Sequence, residues 1–313
     1  VAQQISMENS SSVKEFILLG FSESQEVQKI YFAVFLLFYT LTVTGNLLII
    51  LTVTSSRHLN SPMYFFLCHL SFVDICYSSV TAPKTISGFL VENNTISFAG
   101  CIGQLFGFHF FGCTEIFILT AMAYDRYVAI CRPLRYPALM SRRLCGRMVG
   151  GCWVGAFLHS TLQTLPTALL PFCGPNKIGH YFCDVHPLLH LACADTRVVS
   201  LATVANGGVV SLSCFLILVV SYMVILVSLR GQKPAGWHKA LSTCGSHITV
   251  VILFFGPCTF VSIRPSGDLS EDRSVAVFYT LIAPMLNPFI YTLRNREVKG
   301  AMRKLCSRKV GSG

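Results

Sequence analysis

Met122–Pro137 reads MAYDRYVAICRPLRYP. A mostly apolar run beginning at Gly100 leads into it, and an arginine-rich turn leads out of it. Arg126 sits where the apolar run ends. Its charge is costly in hydrocarbon, so it needs Asp125 beside it or water in reach. The tract therefore marks the place where a helix leaves a membrane.

The rest of the chain agrees. It has 313 residues, 53% hydrophobic and only 12% charged, with a mean hydropathy of +0.60. A soluble domain carries about a quarter charged residues. The apolar residues come in blocks of about 20, enough to cross roughly 30 Å of hydrocarbon. Seven blocks can be drawn: Ile30–Val53, Met63–Pro83, Gly100–Ile130, Val149–Pro166, Val198–Leu229, Ser246–Ile263 and Val275–Leu293. Backbone groups in lipid must be satisfied within the segment, so these are read as helices. No run of ten-residue alternating segments suggests a β-barrel. The expected fold is an all-α membrane protein, a seven-transmembrane helix bundle. Residues 1–29 form an arm, 30–293 the bundle, and 294–313 a short amphipathic helix and tail. Residues 1–6 and 311–313 are read as appended. No cleavable signal peptide precedes the first span, so that span is expected to direct insertion itself.

Charge predicts the orientation. Arg57, Arg132, Arg135, Arg142, Arg143, Arg147, Arg230, Lys233, Lys239 and the tail from Arg294 to Lys309 fall in alternate loops. The positive-inside rule makes that side cytoplasmic and leaves the N-terminus outside. The net charge of +10 is then a topology signal and an attraction to anionic lipid, not a nucleic-acid surface. Sequons at Asn9-Ser10-Ser11 and Asn93-Asn94-Thr95 both fall on the predicted outside, and Asn9 is the expected glycosylation site. Of the 14 cysteines, Cys101, Cys173, Cys183 and Cys193 lie outside, where disulfides persist. Four cysteines allow three pairings, one of which should tie the third span to the long second outer loop.

Further motifs accompany the opening tract: FILLGF at Phe16–Phe21, GN at Gly45-Asn46, PMYFFLCHLSFVD at Pro62–Asp74, SY at Ser221-Tyr222, KALSTCGSH at Lys239–His247 and PMLNPFIYTLRN at Pro284–Asn295. In this order they make the chain resemble a vertebrate odorant receptor of class II, in the rhodopsin-like G-protein-coupled superfamily. The resemblance runs from about Phe16 to Leu305. It implies disulfides Cys101–Cys183 and Cys173–Cys193, and signalling through a stimulatory, olfactory-type G protein that raises cyclic AMP. It also implies residence in the plasma membrane of olfactory cilia.

It implies site residues too. Asp125, Arg126 and Tyr127, with Tyr222, His247, Asn287, Pro288 and Tyr291, would form the switch that couples to the G protein. Asp125 would hold Arg126 at rest, and outward motion of the sixth span would free it. The plainer alternative for Arg126 is an interfacial arginine with a neighbouring counter-ion. The sixth span brings His238, Lys239 and His247 to its inner end and no acid, so a carboxylate lock on Arg126 is excluded there; His247 is expected to contact Arg126 or Tyr222. Asp74 and Glu115 are two mid-membrane acids. The resemblance suggests a sodium ion between them; the alternative is one protonated acid bonded to the other. Pro288 deletes a backbone hydrogen bond and supplies a hinge.

The resemblance places the ligand pocket in the outer half, lined by Phe108, His109, Gly112 and Cys113, by His186 from the loop, and by Thr203, Asn206 and Val210. Cys258, Thr259, Ser262, Val277 and Thr280 complete it. No acid stands at Phe108 to take an amine, so a small neutral volatile is the expected ligand. No organic cofactor is expected. A transporter or channel would call for internal repeats, which are not apparent. A membrane enzyme would have to put Asp74 and Glu115 to work without a nucleophile or a water-filled cleft.

Overall fold

The computed structural model describes residues 13–21, 24–56, 58–91, 94–174, 176–230, 234–263, 269–294 and 297–303; the side chains of 234–243, 259–263, 269–272 and 293–294 lie outside that description. Strand β1 (Glu15–Leu18) comes first, then α1 (Gln25–Ser55), α2 (Pro62–Gly88), β2 (Thr95–Ser97) and α3 (Phe98–Cys131). A 3-10 turn (Pro133–Arg135) and the short α4 (Tyr136–Leu139) lead to α5 (Arg142–Ala168). Strand β3 (Lys177–Ile178), α6 (Val185–Leu191), α7 (Arg197–Leu229) and α8 (Pro234–Ile263) follow. The last span is α9 (Leu269–Val277), a π-helical turn (Phe278–Ile282) and α10 (Ala283–Arg294).

The long helices overrun the lipid-length blocks read from sequence. α3 has 34 residues, about 50 Å at 1.5 Å per residue, and so projects beyond the hydrocarbon. α2 and α5 continue past Pro83 and Pro166, where the sequence blocks end, because a proline near a helix end removes one bond without stopping the chain. Among the described residues five helical stretches are long and apolar enough to cross a membrane: α1, α2, α3, α7 and the run Arg273–Thr292. α5 (27 residues) and α8 (30 residues) match them in length and complete the seven.

The π turn has a local cause. Pro284 has no N–H to continue the α ladder, and the Ala283 N–H reaches back five residues to Phe278 O. Pro288 likewise leaves the Pro284 carbonyl without its helical donor. Asn46 Nδ2 on α1 donates to that carbonyl at 3.0 Å. Gly45 allows the approach, since a Cβ there would stand 3.2 Å from the Pro288 ring.

Residues 297–303 are helical after the bundle. Val298 is fully buried against the bundle core, while Lys299 and Arg303 are exposed. Tyr64 Oη donates to Glu297 Oε2 at 2.7 Å and ties this helix to the start of α2.

A small sheet has no counterpart in the sequence reading. β1 pairs antiparallel with β2 (Phe16↔Ile96) and parallel with β3 (Ile17↔Lys177), in the order β2-β1-β3. Its strands have four, three and two residues, too short for alternation to register as a pattern. The motif Phe16–Phe21 thus begins as a strand. Phe16 is fully buried, its ring 5.5 Å from Phe172 and 6.2 Å from Phe98.

Candidate functional site

At one end of the bundle Cys101 is bonded to Cys183, and Cys173 to Cys193. Gln104 fixes the loop beside the first bridge: its Oε1 accepts from the Cys183 N–H at 2.9 Å and its Nε2 donates to Val80 O at 3.1 Å. His180, Tyr181 and Phe182 then turn into the bundle and are buried. Tyr181 stacks on Phe21 at 4.9 Å, and its hydroxyl pairs with Thr280 Oγ1 at 3.0 Å. Burial, with help from the Arg273 guanidinium, pushes the His180 imidazole down to about 3, so it stays neutral. Cys183 is committed to its disulfide. Among the described residues no group of three or more histidines, cysteines or acids could hold a metal.

Beneath this plug Phe108 lies 4.9 Å from Phe182, 5.5 Å from Tyr77 and 6.1 Å from Tyr279. Cys258 and Val277 pack against the same apolar cluster. Gly112 makes room for Tyr77, whose ring would be 3.2 Å from a Cβ. Cys113 is buried and Val210 half-buried. His109 turns from this cage toward His159 on α5, with ring centroids 6.1 Å apart.

Several other expected lining groups make hydrogen bonds within the fold. The Asn206 amide donates to His159 O at 3.3 Å, and Thr203 O accepts from Gln163 Nε2 at 3.0 Å. The Thr280 hydroxyl is shared between Tyr181 and Ala276 O. His186 is exposed on α6. The side chains of Thr259 and Ser262, and Asn9 and Asn93, lie outside the described residues. The sequence reading did not name Tyr77, His159, Gln163 or Phe182 as lining residues. His159 and Gln163 carried a signal, two polar groups four residues apart in an apolar span, hence on one helix face.

Midway along the bundle Asn287 Nδ2 donates to Asp74 Oδ2 at 2.9 Å. Asp74 and Glu115 are fully buried and close enough to feel each other's charge. Asp74 Oδ1, both Glu115 carboxyl oxygens, Asn46 Oδ1 and Asn287 Oδ1 are buried without a hydrogen-bond partner, as is the Tyr291 hydroxyl. Unpaired buried oxygens of this kind are costly, and an all-oxygen set fits a hard cation.

At the end opposite the disulfides Arg126 Nη2 lies 2.7 Å from Asp125 Oδ2. Tyr136 Oη on α4 donates to the other oxygen, Oδ1, at 2.8 Å. Burial and the Asp125 charge push the Tyr136 phenol up, so it keeps the proton it donates. Across the gap Tyr222 hydrogen-bonds His247 Nδ1. Tyr127 packs with Tyr222 against Ile225, Leu229 and Cys244. Leu134, in the turn between exposed Arg132 and Arg135, is 98% exposed.

A family model described as "Olfactory receptor" matches residues 35–309. The chain belongs to the olfactory receptor family. The receptor is 61% identical to human Olfactory receptor 4S2 over 304 residues, covering 97% of this chain and 98% of that one. It is 59% identical to human Olfactory receptor 4X2 over 291 residues (93% and 96%), and 56% identical to human Olfactory receptor 4B1 over 307 residues (98% and 99%). Its fold is that of the squid rhodopsin crystal structure, with a TM-score of 0.73 at 19% identity over 90% of this chain and 81% of that one. It is therefore a multi-pass membrane receptor for odorants that couples to a G protein, and not an enzyme.

Proposed function

We propose that this receptor takes a small neutral volatile at the disulfide end of the bundle and activates a stimulatory, olfactory-type G protein, raising cyclic AMP. The disulfide end faces outward, with the N-terminus, and the Arg126 end faces the cytosol. The ciliary membrane of olfactory neurons is its place of action, and Asn9 carries a glycan.

The observation that carries this reading is the Arg126 lock. Asp125 grips the guanidinium at 2.7 Å, and Tyr136 grips Asp125 in turn. Across the same end Tyr222 on α7 hydrogen-bonds His247 on α8, a contact that outward motion of α8 would break. Leu134, almost fully exposed between arginines, offers the G protein an apolar foothold on a basic rim. At the other end Phe108, Tyr77, Phe182 and Tyr279 supply an apolar cage, as small-molecule sites do. With phenylalanine rather than an acid at 108, the cage suits an uncharged guest. The ligand acts by binding the open state better than the closed one. Between the two ends, Asp74, Glu115, Asn46 and Asn287 hold a sodium ion at rest.

Cyclic AMP in cells displaying the receptor tests the assignment. At least one volatile from a broad panel should raise it. Silence across the panel, with surface display confirmed, counts against the reading.

A further inference from the structure

We infer that His109 and His159 form the hydrogen-bonding subsite for the ligand, and that this subsite selects a hydroxyl over a carbonyl or an ether. The inference rests on the odorant-pocket reading above and narrows it.

His109 stands on α3 and His159 on α5, with ring centroids 6.1 Å apart and planes at 73°. Nε2 of His109 and Nδ1 of His159 are buried, and neither has a hydrogen-bond partner. The rings are therefore neighbours that do not satisfy each other. Leaving such a group unpaired in the interior is costly, so the site calls for something to bridge them. The spacing fits one oxygen atom. A hydrogen bond of about 2.8 Å plus a ring radius of about 1.2 Å makes an arm of about 4 Å, and two arms meeting at a bent angle span about 6 Å.

The backbone here is well fixed. The Asn206 amide clamps His159 O from α7, and one turn along α5 Gln163 clamps Thr203 O. Gln163 Oε1 and Thr164 Oγ1 are also buried without partners, so the seam between α3, α5 and α7 is short of hydrogen-bond partners as a whole. His109 also touches Phe108, at 5.2 Å between centroids, which joins this polar seam to the aromatic cage.

The chemistry sets the ligand class. A neutral imidazole offers one donor and one acceptor. An alcohol oxygen can accept from one ring and donate to the other, and both nitrogens are then satisfied. A ketone, aldehyde, ester or ether oxygen only accepts, so it satisfies both nitrogens only when both rings turn an N–H toward it, whereas an alcohol satisfies both whenever at least one ring does. The occupant that fits is a hydroxylated volatile with its hydrocarbon part in the Phe108 cage.

The test uses sets of congeners on several common carbon skeletons, each set a secondary alcohol, the matching ketone and the matching methyl ether. Cyclic AMP is read in cells displaying epitope-tagged receptor. Within each active skeleton the alcohol should be the most potent, by about tenfold, the worth of one hydrogen bond at the upper end of its range. His159→Leu should raise the half-maximal concentration for the alcohol about tenfold while moving the ketone less than about threefold, and His159→Gln should recover part of the loss. Retained ketone response and surface epitope show that a variant is folded. If neither variant reaches the surface, the wild-type alcohol-to-ketone ratios decide alone. Ketones or ethers as potent as alcohols overturn the inference, and so does an equal shift of all three in His159→Leu. Silence toward every set from displayed receptor that still answers other volatiles overturns it as well. Silence toward all volatiles removes the odorant-pocket reading itself.

Discussion

Asn46 shows how one side chain can complete another helix. Pro288 cannot donate to the carbonyl four residues back, and Asn46, 238 positions away from that carbonyl, donates in its place. Replacing it by alanine orphans the Pro284 carbonyl in the bundle interior. Asn46→Ala should cost about 1–3 kcal/mol, read as a lower melting temperature of purified receptor. Gly45-Asn46 and Asn287-Pro288 are each visible in the sequence as motifs. That one is the complement of the other was not, because the pairing depends on the register of two distant helices. His180 gives a second residue-scale test. Its folded pKa of about 3 lies below the ordinary value of 6.5, so between these the unfolded chain holds a proton that the folded one lacks. Stability must then rise with pH across that window and fall on acidification, by at most about 1.4 kcal/mol per pH unit. Lowering pH from 7 to 5 should depress the wild-type melting temperature more than that of His180→Gln.

Among elements, the long helices were legible and the short strands were not. Hydrocarbon length is a coarse constraint that seven apolar blocks satisfy openly. β1 is four residues held from both sides by strands of three and two, and only the folded chain brings these together. Phe16 anchors it between Phe98 and Phe172. Phe16→Ala removes a side chain worth about 3–5 kcal/mol in a core. Surface display should fall sharply, while Leu19→Ala, exposed one residue past the strand, should leave it unchanged. The π turn at Phe278–Ile282 was likewise hidden: the prolines that cause it were plain, but the choice of a wide turn over a break is made by packing. The expected lining residues do not all fall together. Phe108 and Val277 meet in one cluster, whereas Thr280 and Asn206 give hydrogen bonds to the fold itself.

For the whole molecule, the bundle is a stack of three layers: an aromatic cage under a disulfide-tied loop, a polar layer at Asp74 and Glu115, and a charged lock at Asp125 and Arg126. Five partnerless carboxyl and amide oxygens in the middle layer set up a test that needs no ligand. Sodium chloride should raise the melting temperature of purified wild-type receptor over equimolar choline chloride, as any ion bound only to the folded state does. Asp74→Asn should lose that difference. An equal response in both proteins would favour a proton shared by the two acids.

The central claim is that a guest at one end releases Arg126 at the other. Nucleotide exchange on a purified stimulatory G protein, measured with the receptor in lipid nanodiscs and an activating volatile, tests it most directly. The volatile should accelerate exchange with wild type and fail to do so with Arg126→Ala at equal receptor concentration. Equal acceleration by the two proteins would contradict the account.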